Sequence, residues 1–227
     1  MSDDLQNKIY SNFHLNFFDR IINKKRFEII NIVNDFIDGK NLYDVLDIGT
    51  TADNINLSSN IILKNLKGFK IFKSISDQKI NTANFSNCLN KSITEDLTQD
   101  DIKIYASDLV ISNATIEHVG NMDNQLKMLK NIIKLTKKYF IIITPNRFHP
   151  IEFHSKLPFI HWFPKKIHRF LLKILGIKYL SREENLNLLS RSDFHKFMKK
   201  INFEKYELRN IRFLLFNSNI ILIGSKD

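Results

Sequence analysis

The chain has 227 residues and carries 34 Lys and Arg against 24 Asp and Glu, a net charge of +10. That length corresponds to one domain and buries a full core without staples; the single cysteine, Cys88, excludes an internal disulfide framework. The positive balance favours acidic partners such as nucleic acid, an anionic membrane surface or a phosphorylated substrate, but Lys, Asn and Ile are abundant along the whole chain, and compositional drift explains the charge equally well.

The opening segment "MSDDLQNKIYSNF" is polar and acidic, without the basic-then-apolar pattern of a signal peptide. No run approaches the roughly 18 apolar residues of a membrane span. A cytoplasmic protein is expected. Residues 1–40 read as helical: Phe18, Ile21, Ile22, Ile29, Val33, Phe36 and Ile37 recur at helical spacing, and Gly39 is a plausible stop.

A strand–helix rhythm follows. "DVLDIG" reads as a buried strand, "SSNIILKNLKG" as a helix capped by Ser58 or Ser59, and "KIFKSIS" as a second strand. A weaker third strand falls near "CLNKSI" and a fourth at "SDLVISN". The helix "NMDNQLKMLKNIIKLTK" carries Leu126, Leu129, Ile132 and Ile133 on one stripe. "YFIIIT" is apolar on both faces, as the middle of a parallel sheet requires.

All four prolines then fall between Pro145 and Pro164, with His149, His154, His161 and Trp162. Two helices follow, around "KKIHRFLLKILG" and "SRSDFHKFMKKI". The chain closes on "RNIRFLLFNSNIILIG", read as a hairpin with a tight Asn-Ser turn. The alternation predicts an α/β fold, a doubly wound sheet with an N-terminal helix and an antiparallel edge.

In such sheets, ligands bind beyond the carboxyl ends of the strands, at the switch in strand order. Asp47 and Gly49 fall there. Only one glycine is present, whereas a pyrophosphate needs several free backbone amides; this disfavours an NAD-dependent enzyme. S-adenosylmethionine carries no phosphate, so the missing glycines count less against it. Asp77 ends the next strand, where a carboxylate accepts both ribose hydroxyls. Asn113, Glu117 and His118 lie at the end of the fourth strand and just beyond it, where Asn113 and Glu117 could face the cofactor; for His118 a structural role near a helix start is the preferred reading of the spacing.

Three pieces, "VLDIGTTAD", "DLVISNATIEHVGN" and "ITPNRFHPIEFHSKLPFIHWFP", resemble the class I S-adenosylmethionine-dependent methyltransferases, and in particular a bacterial subset whose first motif reads DIGxT. The resemblance spans about residues 20–225. It implies a Rossmann-like doubly wound seven-stranded sheet with an antiparallel C-terminal strand, formed by a single domain 1–227 with an N-terminal helical segment 1–40 and a substrate-side insertion 145–195. It also implies that Asp47, Gly49, Thr50 and Thr51 lie along the methionine part of the cofactor, Asp77 on the ribose, Asp96 near the adenine amino group, and Asn113 and Ala114 close by.

The proline–histidine segment lies where substrate loops of this fold sit. Methyl transfer is an in-line displacement that needs a positioned nucleophile, excluded water and often a base. His154 or Glu152 is the candidate base and Arg147 the anchor for an anionic acceptor; bracing of the loop is the competing role for each. His149, His154 and His161 lack a tight i, i+4 pair, so no metal site is expected. In "PKKIHRFLLKILGIKYL", Ile167, Phe170, Leu171, Ile174 and Leu175 form an apolar face beside Lys165, Lys166, Arg169 and Lys173. Packing on its own domain is the preferred reading, while residues 165–178 also offer a contact with an anionic bilayer, peripheral at the inner membrane surface.

The expected activity is methyl transfer to a small-molecule, glycan or lipid-linked acceptor. An RNA methyltransferase is an alternative, although "SNATIEH" stands where a base-flipping motif would fall. A non-catalytic scaffold with the same fold is the third reading.

Overall fold

The computed structural model describes residues 16–52, 59–80, 85–213 and 215–226, with side chains from residue 24 onward. Helix α1 (Asn16–Ile37) leads into β1 (Asp44–Ile48), α2 (Ile61–Asn65), β2 (Ile71–Ser76), β3 (Asn87–Asn90), α3 (Gln99–Tyr105) and β4 (Ser107–Asn113). After a 3-10 turn (Ile116–His118) come α4 (Met122–Leu135) and β5 (Thr136–Pro145). A second 3-10 turn (Ile160–Trp162), α5 (Lys165–Ile174), α6 (Arg191–Ile201), β6 (Tyr206–Phe213) and β7 (Phe216–Ser225) complete the order.

The strands form one sheet in the order β3-β2-β1-β4-β5-β7-β6. The first five are mutually parallel, and β7 runs antiparallel to both β5 and β6. This is the doubly wound seven-stranded architecture expected from the sequence. The chain leaves β1 towards β2 on one side and returns to β4 on the other, so the switch lies between β1 and β4.

Successive strand residues face opposite layers. Leu46, Ile48, Val110, Phe140, Ile142, Ile220 and Leu222 pack against Leu129 and Ile132 of α4 and Phe194 and Met198 of α6. Val45, Leu109, Ile111, Ile141, Ile143 and Ile221 pack against Ile29, Ile30 and Val33 of α1 and Ile61 and Ile62 of α2. Apolar runs on both faces are therefore the signature of a sheet covered twice, and each fully buried Leu or Ile contributes about 1.5–3 kcal/mol.

Helix α1 stops where expected: Gly39 adopts φ 68°, the left-handed conformation that favours glycine. The side chains of Phe18, Ile21 and Ile22, and the fold of residues 1–15, lie outside the described residues. Four other expectations are corrected. Helix α2 begins after Asn60, which is itself left-handed and makes no side-chain cap; Ser59 precedes it in a turn, and Ser58 lies outside the described residues. The closing turn falls between Phe213 and Phe216, not at Asn217-Ser218. Those two residues sit inside β7, where the register shifts and the buried Ser218 hydroxyl donates to Ile211 O at 3.1 Å; polarity that resembles a turn instead pins a bulge. Strand β5 is longer than "YFIIIT" and has one parallel and one antiparallel neighbour, because β7 inserts beside it.

The fourth correction concerns α5. It docks through His168 and Leu172, with Leu172 in a small cluster with Leu180, Leu186 and Leu188. Ile167, Phe170, Ile174 and Leu175, most of the face expected to pack inward, are exposed, Phe170 at 61% and Ile174 at 65%.

Candidate active site

The turn after β1 is held by side chains. Gly49 has φ 88°, and a Cβ there would lie 2.2 Å from Thr115 Oγ1, so only glycine fits. Gly49 N donates to Ile75 O at 2.9 Å. Thr50 is buried; its hydroxyl donates to the Asp47 carboxylate and accepts from Ser74 Oγ at 2.7 Å, and its carbonyl accepts from Ser76 Oγ at 2.7 Å. Asn60 clamps Thr51 from both sides, accepting from Thr51 N at 3.0 Å and donating to Thr51 O at 3.0 Å. Gln78 Oε1 accepts from Ala52 N at 3.0 Å. Burial pushes the Asp47 carboxyl up to about 6, and the Thr50 hydrogen bond opposes only part of that.

The turn after β4 lies against this one. Ala114 takes φ 52°, unusual for a residue with a side chain, and its amide donates to Ile143 O at 2.8 Å. Thr115 Oγ1 reaches Ile48 O and Asn113 O, each at 3.2 Å. This turn swings the next three residues over the end of β5. Glu117 becomes fully buried and accepts from Thr144 Oγ1 at 2.9 Å through one carboxylate oxygen. The 3-10 turn is locked from behind: Gln125 Nε2 donates to Ile116 O at 3.0 Å and to Asn187 O at 2.7 Å, while Asn187 N donates to Glu117 O at 2.7 Å.

His154 joins this group from the loop after β5. Its Nε2 lies 3.1 Å from Nε2 of His118, and its Nδ1 lies 2.6 Å from Glu152 Oε1. Glu152 is buried and also accepts from His154 N at 2.8 Å and from Ser155 N. Burial works against its charge, but His154 and these donors bring its carboxyl down to about 2. Burial alone would lower the His154 value; the Glu152 carboxylate overrides it and raises it. His118 is lowered, first by burial and then by the neighbouring His154.

Of the residues named from sequence, Asp47, Gly49, Thr50 and Thr51 meet Asn113 and Ala114 across Thr115. Glu152 and His154 join Glu117 and His118 two residues further on. Asp77 follows directly on β2 and is exposed at the carboxyl edge. Asp96 is exposed, beyond β3, and pairs with Lys127 at 3.1 Å. Arg147 uses its guanidinium within the loop, donating to His161 O at 3.3 Å and Phe163 O at 2.9 Å. His149 and His161 also brace the loop, His161 Nε2 lying 2.6 Å from His149 O. Sequence reasoning missed Thr115, Asn60, Gln78, Ser74 and Ser76. The signal was present in β2, where Ser74 and Ser76 alternate as small polar residues in an otherwise buried strand.

No protein-family model matches the chain, and no curated protein sequence does either. Solved structures do match over nearly the full length. Magnesium protoporphyrin IX methyltransferase (ChlM) from Synechocystis PCC 6803, solved with bound SAM, is 12% identical, with a TM-score of 0.54 over 99% of this chain and 90% of that one. The N-methyltransferase NodS from Bradyrhizobium japonicum WM9, solved with S-adenosyl-l-homocysteine, is 8% identical, with a TM-score of 0.55 over 98% and 96%. A SAM-dependent methyltransferase from Archaeoglobus fulgidus is 12% identical, with a TM-score of 0.55 over 94% and 100%. At these identities the likeness is one of fold: a Rossmann-like sheet shared with S-adenosylmethionine-dependent methyltransferases.

Proposed function

We propose that this protein is an S-adenosylmethionine-dependent methyltransferase acting on a small-molecule, glycan or lipid-linked acceptor. One observation carries the reading: the Glu152–His154–His118–Glu117 array stands beside the interlocked β1 and β4 turns, at the edge where this fold binds ligands. The residues fit the cofactor. Gly49 lets the β1 turn close against Thr115 of the β4 turn, Asp47 places a carboxyl under the turn, and Asp77 stands exposed at the end of β2. Asp47 and residues 49–51 would border the methionine part, Asp77 the ribose, Asp96 the adenine amino group, and Asn113 and Ala114 the space between cofactor and acceptor.

When bound, S-adenosylmethionine supplies an electrophilic methyl on a sulfonium. The chain's own residues orient the acceptor and take its proton at the His118–His154 cluster. Glu152 holds His154 in one tautomer by accepting from Nδ1, so Nε2 is the working atom. Arg147 shapes the loop over this cluster through its contacts with residues 161 and 163.

The acceptor class is read from the surface beside the loop. Phe159, Trp162, Phe163, Ile167, Phe170, Ile174 and Leu175 are all exposed, among Lys165, Lys166, Arg169 and Lys173. An apolar patch this size with a basic rim suits the interface of an anionic bilayer, and hence a lipid-linked acceptor. Among the described residues no helix is long and apolar enough to cross a membrane, so contact would be peripheral, from the cytoplasmic side.

Calorimetric titration with S-adenosylmethionine and S-adenosylhomocysteine, beside an Asp77→Ala control, tests the cofactor. Micromolar binding lost in the variant supports the reading; a folded protein that binds neither ligand returns the chain to the scaffold alternative. Labelled methyl donor with cell-envelope extracts then identifies the acceptor.

A further inference from the structure

Two imidazoles and a carboxylate converge at one point of this cluster with more lone pairs than hydrogens. His118 Nδ1 lies 2.6 Å from Asn185 O, a carbonyl that can only accept, so Nδ1 carries the hydrogen and Nε2 presents a lone pair. His154 Nδ1 likewise faces the Glu152 carboxylate, leaving its Nε2 to face that of His118 at 3.1 Å. Beside them, Glu117 Oε1 is buried without any hydrogen-bond partner, while the other oxygen of the same carboxylate is held by Thr144. One ligand atom from each of Glu117, His118 and His154 falls within 4.8 Å of the others.

A single proton between the rings would satisfy one lone pair and leave Glu117 Oε1 orphaned. A divalent cation satisfies all three. The spacing suits one: metal–nitrogen bonds of about 2.0–2.1 Å place adjacent ligand nitrogens about 3.0–3.4 Å apart. The ligand atoms, now within 4.8 Å of one another, would have to draw together by about 1.5 Å to complete the set. Both histidines already have the outer partners that metal-bound imidazoles need, a backbone carbonyl for His118 and a carboxylate for His154.

We propose that Glu117, His118 and His154 form a binding site for a divalent transition-metal ion, zinc being the best match to two imidazole nitrogens and one carboxylate oxygen. Magnesium and calcium, which prefer all-oxygen shells, fit this donor set poorly. Three protein ligands leave positions for further oxygen donors. With a metal bound both Nε2 lone pairs are committed, so the cluster would then hold an acceptor oxygen on the metal in place of taking its proton; that use rests on the methyltransferase reading, and metal binding itself does not. Sequence spacing missed this site because it looked for histidine pairs within the proline-rich loop, whereas His154 finds its partner 36 residues upstream.

The test uses the full chain, freed of metal by chelator and dialysis. Cobalt(II) is titrated by visible absorbance, zinc(II) by calorimetry, and S-adenosylhomocysteine affinity is measured on the same samples. The expected result is one saturable equivalent of cobalt, displaced by zinc, with affinity at least about 10-fold weaker in Glu117→Gln and His154→Gln. Glu152→Gln, which leaves the ligand set intact, should weaken metal affinity about 10–100-fold. Far-UV circular dichroism and urea midpoints identify any variant that fails to fold, and the others then decide the matter. No saturable uptake by the folded wild type, or uptake unchanged in every folded variant, overturns the proposal. S-adenosylhomocysteine binding without metal uptake would remove the metal site alone; metal uptake without S-adenosylhomocysteine binding would remove the methyltransferase reading alone.

Discussion

Asp47→Asn should make the ligand-free protein more stable at neutral pH and impair it as a cofactor binder. The Asp47 carboxyl lies almost wholly inside the protein, its charge opposed by burial and relieved only by the Thr50 hydroxyl. Its value rises from 3.8 to about 6 on folding. An acid whose folded value is raised stabilises the native state fully below its unfolded value, and that contribution is lost as pH rises through the folded one. The rise corresponds to a penalty of about 3 kcal/mol, developed between pH 3.8 and about 6 and complete at pH 7. Asparagine keeps an oxygen for Thr50 and removes the charge; its new amide hydrogens would cost about 1 kcal/mol if left unpaired. The variant should therefore exceed wild type by about 1–2 kcal/mol at pH 7, and the advantage should vanish near pH 4. Urea unfolding at intervals from pH 4 to pH 8 measures it. Under the proposed function the same variant should bind S-adenosylhomocysteine at least about 10-fold more weakly, because it forfeits a carboxylate kept charged at a cost. A stability difference that does not grow with pH would refute the reasoning, as would a variant less stable than wild type at pH 7.

Glu152→Gln should destabilise the protein by about 3–5 kcal/mol, since it leaves a buried imidazole without its charge partner. The wild-type pair should also shape the pH profile. Glu152's contribution is present above 4.5 and lost as pH falls towards 2, and that of His154 is present below 6.5 and lost as pH rises past its elevated value; proton NMR of His154 in the variant should show a lowered value. Gly49→Ala combines a left-handed backbone costing about 1–2 kcal/mol with a clash against Thr115 costing about 1–3 kcal/mol. Thr115→Ala should recover part of the second cost, so a double-mutant cycle by urea unfolding should give a coupling of about 1 kcal/mol or more. Phe170→Ser with Ile174→Ser should leave stability within about 0.5 kcal/mol of wild type but reduce sedimentation with phosphatidylglycerol vesicles, and the wild-type binding should weaken as salt is raised; equal sedimentation by both proteins would remove the bilayer assignment.

The sheet was legible because its central strands β1, β4 and β5 are buried on both faces, so short apolar runs stood out between polar turns. The helices α1 and α4 were legible from one-sided periodicity; the start of α6 is fixed by a Ser190–Asp193 capping box that the structure shows. Misreadings occurred where a residue's local meaning depended on a distant partner. Ser218 looks like a turn residue until the register shift in β7 is known. The outward face of α5 looks like a core face because periodicity reports amphipathicity and not what lies opposite. His118 and His154 each look like ordinary loop histidines, and only the topology that places the end of β4 beside the end of β5 brings them together.

The scarcity of glycine after β1 has a physical consequence beyond the resemblance it carries. A Gly-rich turn recognises a diphosphate by leaving successive amides unpaired and approachable. Here the amide of Gly49 is engaged by Ile75 O, that of Thr51 by Asn60 and that of Ala52 by Gln78. Beneath the turn the Ser74 hydroxyl donates to that of Thr50, which donates to Asp47, while the Ser76 hydroxyl donates to the Thr50 carbonyl. Residues 49–52 therefore make a wall in which the amides of Gly49, Thr51 and Ala52 are already engaged, together with one carboxyl whose charge is held against its environment. Such a wall suits a ligand that brings its own positive charge and asks for an acceptor, as an ammonium group does, and repels one that brings phosphates. The same arrangement explains why replacing Asp47 should stabilise the fold and, under the proposed function, weaken the binding of S-adenosylhomocysteine: the buried charge costs the empty protein stability and is what a cationic group of the ligand would meet.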